Sequence, residues 1–220
     1  ITANQMKKAV ILTASITLVL ALLLIYVAFG KENFALSMIF ILLGIGSIGA
    51  AIKYTVGSNA YGYNGLGDLF VFIFFGLVSV LGSNFLYTHF LDWKLVLPAA
   101  TIGLLSVAVL NLNNMRDIEN DRIAGKRTLV VKMGLENAKI YHFSLFIVSL
   151  ILMLAFSKII KMTSIPILIV NILFIKHVDT VKKAKEYKDF DPELKKVALG
   201  TFVLSLLVGL SLIYLSKITF

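Results

Sequence analysis

The chain has 220 residues, 59% of them hydrophobic and only 15% charged, with a mean hydropathy of +0.92 and a formal net charge of +9. A water-soluble domain is nearer half apolar and a quarter charged, so the surplus here has to face something other than water. The basic excess does not call for nucleic acid, because basic loops on the cytoplasmic side are the ordinary pattern of a membrane protein. The lack of cysteine removes disulfides and thiolate metal sites.

Lys7 and Lys8 are followed by an uncharged run, Ala9 to Gly30. It is longer than a signal peptide's apolar region and lacks a small-residue cleavage site, so the first element reads as a membrane span, about Lys8 to Phe29. A Gly30-Lys-Glu-Asn turn leads to span two, about Phe34 to Lys53, where Gly44, Gly46 and Gly49 permit close helix packing. A loop from Tyr54 to Gly67 precedes span three, about Asp68 to Thr88, which contains the polar Asn84 and a Phe-rich run. The His89–Trp93 link is an interfacial corner with aromatic anchors.

Span four, about Lys94 to Asn113, runs straight into the most charged stretch of the chain. Span five is about Ala138 to Ser157. Span six, about Met162 to His177, is the shortest and leans on snorkelling lysines. A loop of mixed charge from Val178 to Lys196 leads to span seven, about Val197 to Ser216. These runs are apolar all round, which suits membrane helices and not the alternating strands of a barrel. The expectation is an all-α, polytopic transmembrane helix bundle of seven spans forming one membrane domain over residues 1–220. Sixteen of the 21 Lys and Arg residues fall in loops on one side. That bias orients the N-terminus, the 54–67 loop, the charged stretch after span four and the 178–196 loop toward the cytoplasm.

Within the charged stretch, Asn113, Asp117 and Asp121 are spaced four and four, so on a helix they share one face. Arg116, Arg122, Lys126 and Arg127 stand around them. Oxygen ligands at one-turn spacing suit Mg²⁺, which takes one or two carboxylates and fills its shell with water and phosphate oxygens. The cations suit phosphate. A bare Asp-x-x-x-Asp is more often a solvated helix cap, but the added asparagine, the end of a span and four basic residues weigh against that. An EF-hand fails, because the position that needs Gly is Arg122. His89, His142 and His177 sit at span ends without ligand spacing and carry no metal expectation. Asn84 needs a polar partner and is a candidate for the cavity lining. A cation-coupled transporter using Asp117 and Asp121 is a rival reading, although such ion sites usually lie near the bilayer midplane.

The run from Asn113 to Gly134 resembles the second aspartate-rich motif of the UbiA superfamily of intramembrane prenyltransferases. It is most similar to the branch that makes menaquinone from 1,4-dihydroxy-2-naphthoate. Tyr54-Thr-Val-Gly followed by Tyr61-Gly-Tyr-Asn-Gly-Leu-Gly-Asp-Leu resembles a loop of the same branch. The resemblance implies a nine-helix fold around a central cavity in the bacterial inner membrane, with this chain's first span matching the family's third helix. The family's first aspartate motif would then lie before Ile1, and the chain as written would be N-terminally truncated and inactive alone. The resemblance further implies Mg²⁺ held by Asn113, Asp117 and Asp121, and diphosphate held by Arg116, Arg122, Lys126 and Arg127. Tyr54 and Asp68 fall on the loop that caps the cavity. The implied substrates are a polyprenyl diphosphate and 1,4-dihydroxy-2-naphthoate, with membrane lipid around the protein and no nucleic acid partner. Another aromatic acceptor such as 4-hydroxybenzoate is the alternative, since the diphosphate machinery is shared.

Overall fold

The computed structural model describes residues 1–55 and 60–219. Among them every regular element is helical. We label the helices α1 (Ala3–Phe29), α2 (Phe34–Thr55), α3 (Gly67–Thr88), α4 (Val96–Arg116), α5 (Ile118–Ile123), α6 (Leu129–Met133), α7 (Leu135–Ile159), α8 (Ile165–Lys183) and α9 (Asp191–Thr219). Of the Tyr54–Gly67 loop, residues 56–59 lie outside the described residues, and with them half of the Tyr54-Thr-Val-Gly match.

Among the described residues, six helices are long and apolar enough to cross a membrane. The sixth expected span is present as α8 but falls short of that measure. Its apolar part, Ile165 to Ile175, covers only roughly 16 Å of helix, and Lys176, Asp179, Lys182 and Lys183 follow. A bilayer core is ~30 Å thick, so α8 depends on its neighbours. Ile167, Val170, Phe174, His177 and Val181 are all buried, at alternating three- and four-residue spacing, which makes one continuous seam. On α9 the facing seam is Glu193, Val197, Gly200, Leu204 and Val208. Gly200 leaves room for the Phe174 ring, since a Cβ there would sit 2.5 Å from Cε1 of that ring.

The bundle is built around α4, which packs against α3, α7 and α9. Ala99, Leu105, Ala108, Leu112 and Met115 are all but sealed from solvent. The helices α1 and α2, by contrast, keep apolar side chains exposed along their whole length, the surface expected of helices in lipid. Thr2 starts α1 with a reciprocal cap: its side chain accepts from the Gln5 amide, and its own amide donates to the Gln5 side chain.

Midway, α3 loosens into a π-helical segment, Phe72–Val78. Gly76 in that segment meets Gly103 of α4 so closely that a Cβ on Gly76 would lie 2.6 Å from the Gly103 Cα. Small residues let two helix backbones touch where lipid provides no hydrophobic drive. Asn84 finds polar partners beside its own helix. It donates to Thr88 Oγ1 (3.2 Å) and the Phe90 carbonyl (3.3 Å), closing the end of α3.

Candidate diphosphate site

At the end of α4 the helix breaks once, at Asp117 (φ −98°, ψ 8°), and resumes as α5. The four-residue backbone bonds continue through the break: the Asp117 amide donates to the Asn113 carbonyl at 3.0 Å and the Asp121 amide to the Asp117 carbonyl at 2.8 Å. The expected stacking of Asn113, Asp117 and Asp121 on successive turns therefore survives a change of helix.

Arg116 organises this cluster. Its Nε and Nη2 fork onto the two carboxylate oxygens of Asp117 at 2.8 and 2.9 Å. Nη2 also donates to Asn113 Oδ1 at 2.7 Å, and Nη1 to Asp191 Oδ1 of α9 at 2.8 Å. One guanidinium thus gathers three side-chain oxygen groups from two helices, a task its planar array of donors suits and a lysine's point charge does not. The fork holds the Asp117 carboxyl below the usual carboxylate range, Arg116 being the largest cause.

Asp121 is nearly buried and pairs with Lys126 Nζ at 2.9 Å. That hydrogen bond raises the Lys126 ammonium above its ordinary value. Lys126 also stands 5.2 Å from the centre of the Tyr63 ring, an added cation–π contact. The Arg127 backbone amide donates to the Tyr63 carbonyl at 2.6 Å, and Lys132 Nζ donates to the Asn64 carbonyl at 2.7 Å. These bonds clasp the loop ahead of α3 onto the loop after α5 and onto α6.

The sequence-predicted residues are not all brought together. Asn113, Asp117, Arg116, Asp121 and Lys126 form the cluster. Arg122 turns away and pairs with Glu119 at 3.1 Å, which also accepts from the Tyr187 hydroxyl at 3.0 Å. The Arg127 side chain is exposed at the loop surface. Tyr54 reaches over Gly67 and lies within Coulombic range of Asp68, Lys126 and Asp121. Asp68, in the first turn of α3, is buried and accepts from the Tyr141 hydroxyl of α7 at 3.1 Å. Tyr141 carried no signal in the sequence, because its partner is 73 residues away.

Asp191 was likewise not foreseen, and neither was the meeting of His142 and His177, whose Nε2 atoms are 2.8 Å apart in the interior. In both cases only the packing of α8 and α9 against α4 and α7 brings the groups into contact.

An open groove of about 430 Å³ runs along α3, α4 and α9. Val71, Phe75, Leu105, Val109 and Leu194 make its walls apolar, and Asn113 lines it too, joining the groove to the charged cluster. A second cavity of about 420 Å³ lies on the other face of α3 and shares Val71 and Phe75 with the first. Tyr61 stacks on Phe70 in it, ring centres 3.9 Å apart.

Among the described residues, no three His, Cys, Asp or Glu side chains come close enough to hold a metal by themselves. The donor set still fits a hard cation whose remaining ligands are phosphate oxygens: two carboxylates and an amide oxygen on successive turns, the carboxylates paired here with Arg116 and Lys126 and the amide oxygen accepting from Arg116.

A profile of the UbiA prenyltransferase family matches residues 1–194. The chain belongs to the UbiA prenyltransferase family. It is 40% identical to the 1,4-dihydroxy-2-naphthoate octaprenyltransferase of Escherichia coli over 219 residues, 99% of this chain and 70% of that protein. The enzyme of the same name from Haemophilus influenzae is 38% identical, over 97% of this chain and 69% of the relative. A UbiA prenyltransferase domain-containing protein 1 homolog from Drosophila melanogaster is 39% identical over 93 residues, 42% of this chain and 26% of that protein. No solved structure matches the chain. As a UbiA family member with six helices fit to span a bilayer, it is a multi-pass integral membrane prenyltransferase.

Proposed function

We propose that the reaction this chain serves is the Mg²⁺-dependent transfer of a polyprenyl group from its diphosphate to 1,4-dihydroxy-2-naphthoate, with loss of the acceptor's carboxylate as carbon dioxide. The observation that carries the reading is the stack of Asn113, Asp117 and Asp121, with Arg116 and Lys126, opening onto an apolar groove at Asn113. The names of the Escherichia coli and Haemophilus influenzae relatives favour the naphthoate over 4-hydroxybenzoate as acceptor.

In this reading the allylic C–O bond breaks with its electron pair leaving on the diphosphate. A π pair of the electron-rich ring forms the new C–C bond. The pair of the ring–carboxylate bond then restores aromaticity as carbon dioxide departs. Negative charge grows on the leaving group, so fixed cations at that end lower the barrier. Arg116 and Lys126 supply them, and both are held in place beforehand by Asp117, Asp191 and Asp121. Asn113, Asp117 and Asp121 would hold Mg²⁺, which when bound neutralises diphosphate charge.

The groove walls keep water from an allylic cation. They also receive the prenyl tail, each buried CH₂ contributing ~0.8 kcal/mol. Tyr54 at the end of α2 and Asp68 in the first turn of α3 flank the clasped loop and would face the acceptor. In a bacterial inner membrane the motif loops would stand on the cytoplasmic side, where soluble diphosphate is released.

The test is acceptor competition in reconstituted membranes, using one polyprenyl diphosphate and equal amounts of 1,4-dihydroxy-2-naphthoate and 4-hydroxybenzoate. Prenylated naphthoquinol as the dominant product is expected. Dominant prenylation of the benzoate would overturn the acceptor assignment.

A further inference from the structure

A buried polar chain links four helices beside the charged cluster and has no part in the chemistry above. His142 of α7 and His177 of α8 meet through their Nε2 atoms at 2.8 Å. The other nitrogen of His142 lies 3.1 Å from Asn111 Oδ1 of α4. The other nitrogen of His177 lies 2.6 Å from Glu193 Oε2 of α9, and Glu193 Oε1 pairs with Lys196 Nζ at 2.5 Å. Asn111, His142, His177 and Glu193 are each at most 3% exposed, whereas the Lys196 side chain reaches solvent. Phe146 packs against both imidazoles, with ring centres 5.1 and 5.3 Å away. The charged groups facing the pair are Glu193 and Lys196, both from α9; α4 contributes only the Asn111 amide.

Counting protons along this chain gives two complete patterns. With Asn111 Oδ1 toward His142, Nδ1 of His142 must carry a proton, as must Nδ1 of His177 toward the Glu193 carboxylate. The Nε2 pair needs one more between them, so the two rings hold three protons, and Asn111 Nδ2 is left without a partner. Turning the amide over lets Nδ2 donate to a bare His142 Nδ1, and the rings then hold two. Amide orientation is set by the hydrogen-bond network and is free to follow it. The same heavy atoms thus accept or release one proton, and Asn111 turns with it.

The chain also closes a ring. Two residues before Glu193 on the first turn of α9, Asp191 binds Arg116, which holds Asn113 and Asp117. Asn111, at the other end of the relay, lies on α4 two residues before Asn113. We propose that His142, His177 and Glu193 are positioning residues: they form a relay for one exchangeable proton that fixes the first turn of α9 against the end of α4. Through Asp191 and Arg116 the relay sets the placement of Asn113 and Asp117. Its consequence for catalysis rests on the diphosphate reading of that cluster; its proton chemistry does not.

The test uses the full protein in lipid bilayers, labelled with ¹⁵N at histidine and arginine. The chain has three histidines and three arginines, so His89→Gln, which alters an exposed residue, leaves the pair alone in the histidine spectrum. Between pH 8 and 4 the pair is expected to take up one proton in total, and the Arg116 guanidinium signals are expected to move with it. Glu193→Gln abolishes both changes. Two independent titrations near the free-imidazole value of ~6.5, or no uptake, would overturn the relay, and a stationary Arg116 signal would overturn the coupling. In prenyl transfer, His177→Gln is expected to raise KM for the polyprenyl diphosphate ~10-fold, in the range for groups that orient metal or anion ligands, with kcat changed less. An unchanged KM would contradict the positioning role. Wild-type protein that transfers no prenyl group would refute the proposed function instead, and the spectra would still decide the relay.

Discussion

Replacing Gly76 by alanine is expected to wedge α3 away from α4. A Cβ at that position would lie 2.6 Å from the Gly103 Cα, 2.7 Å from the Ala99 carbonyl oxygen and 2.8 Å from the Gly103 nitrogen. All three are backbone atoms of the buried central helix, so no side-chain rotation relieves the clash. Reaching ordinary contact requires the helices to separate by several tenths of an ångström or more. Overpacking of this kind costs about 1–3 kcal/mol, and for a chain of this size each kcal/mol lowers the melting temperature by roughly 2–4 °C. A loss of about 2–12 °C is therefore expected from circular-dichroism melts in detergent, together with a lower prenylation rate, because Val71 and Phe75 of α3 wall the groove. Gly209→Ala, where nothing lies within 4 Å, is the control and should melt at the parent's temperature or a few degrees above it, alanine being the better helix former by roughly 0.5–1 kcal/mol. Gly76→Ala melting with the parent would refute the close contact between α3 and α4.

The helices and the one-turn spacing of the acidic stretch were legible in the sequence because each is local. Uncharged runs of spanning length announce membrane helices, and Asn113, Asp117 and Asp121 sit one turn apart whatever surrounds them. What stayed hidden depends on pairings between distant segments. Arg116 reads equally well as a diphosphate ligand or as the tether to Asp191, 75 residues on. Arg122, one residue after Asp121, looked like part of the cluster, yet the turn of α5 carries it to Glu119. The histidines looked scattered because they lie on different helices, and only the short, partner-dependent α8 places His177 against His142. That same helix was counted as a span on hydropathy and the alternation of basic loops, although its buried seam is what holds it in the bundle.

Arg116→Lys keeps the charge but loses the fork, and binding of diphosphate, followed by KM, is expected to weaken ~10-fold to 100-fold while the protein still inserts; an unchanged KM would deny Arg116 its organising role. Tyr141→Phe takes from the buried Asp68 carboxyl its side-chain donor, a loss of about 1–3 kcal/mol that should appear as a lower melting temperature. The Asp117 carboxyl is held down by Arg116, so its stabilising effect is present above the unfolded value of ~3.9 and is lost as pH falls through the lower folded value. The difference in melting temperature between the parent and Asp117→Asn should therefore be flat from neutral pH to about 4 and shrink only in stronger acid. A difference that disappears near neutrality would contradict the fork.

The most direct test of the central claim is Mg²⁺-dependent prenylation of 1,4-dihydroxy-2-naphthoate by the full-length protein carrying Asp117→Asn or Asp121→Asn. Each change is nearly isosteric and removes a single charge beside Arg116 or Lys126. Loss of turnover in both, with membrane insertion and helical content retained, is the predicted result. Parental turnover and an unaltered Mg²⁺ requirement in either variant would contradict the assignment of this cluster as the metal–diphosphate site.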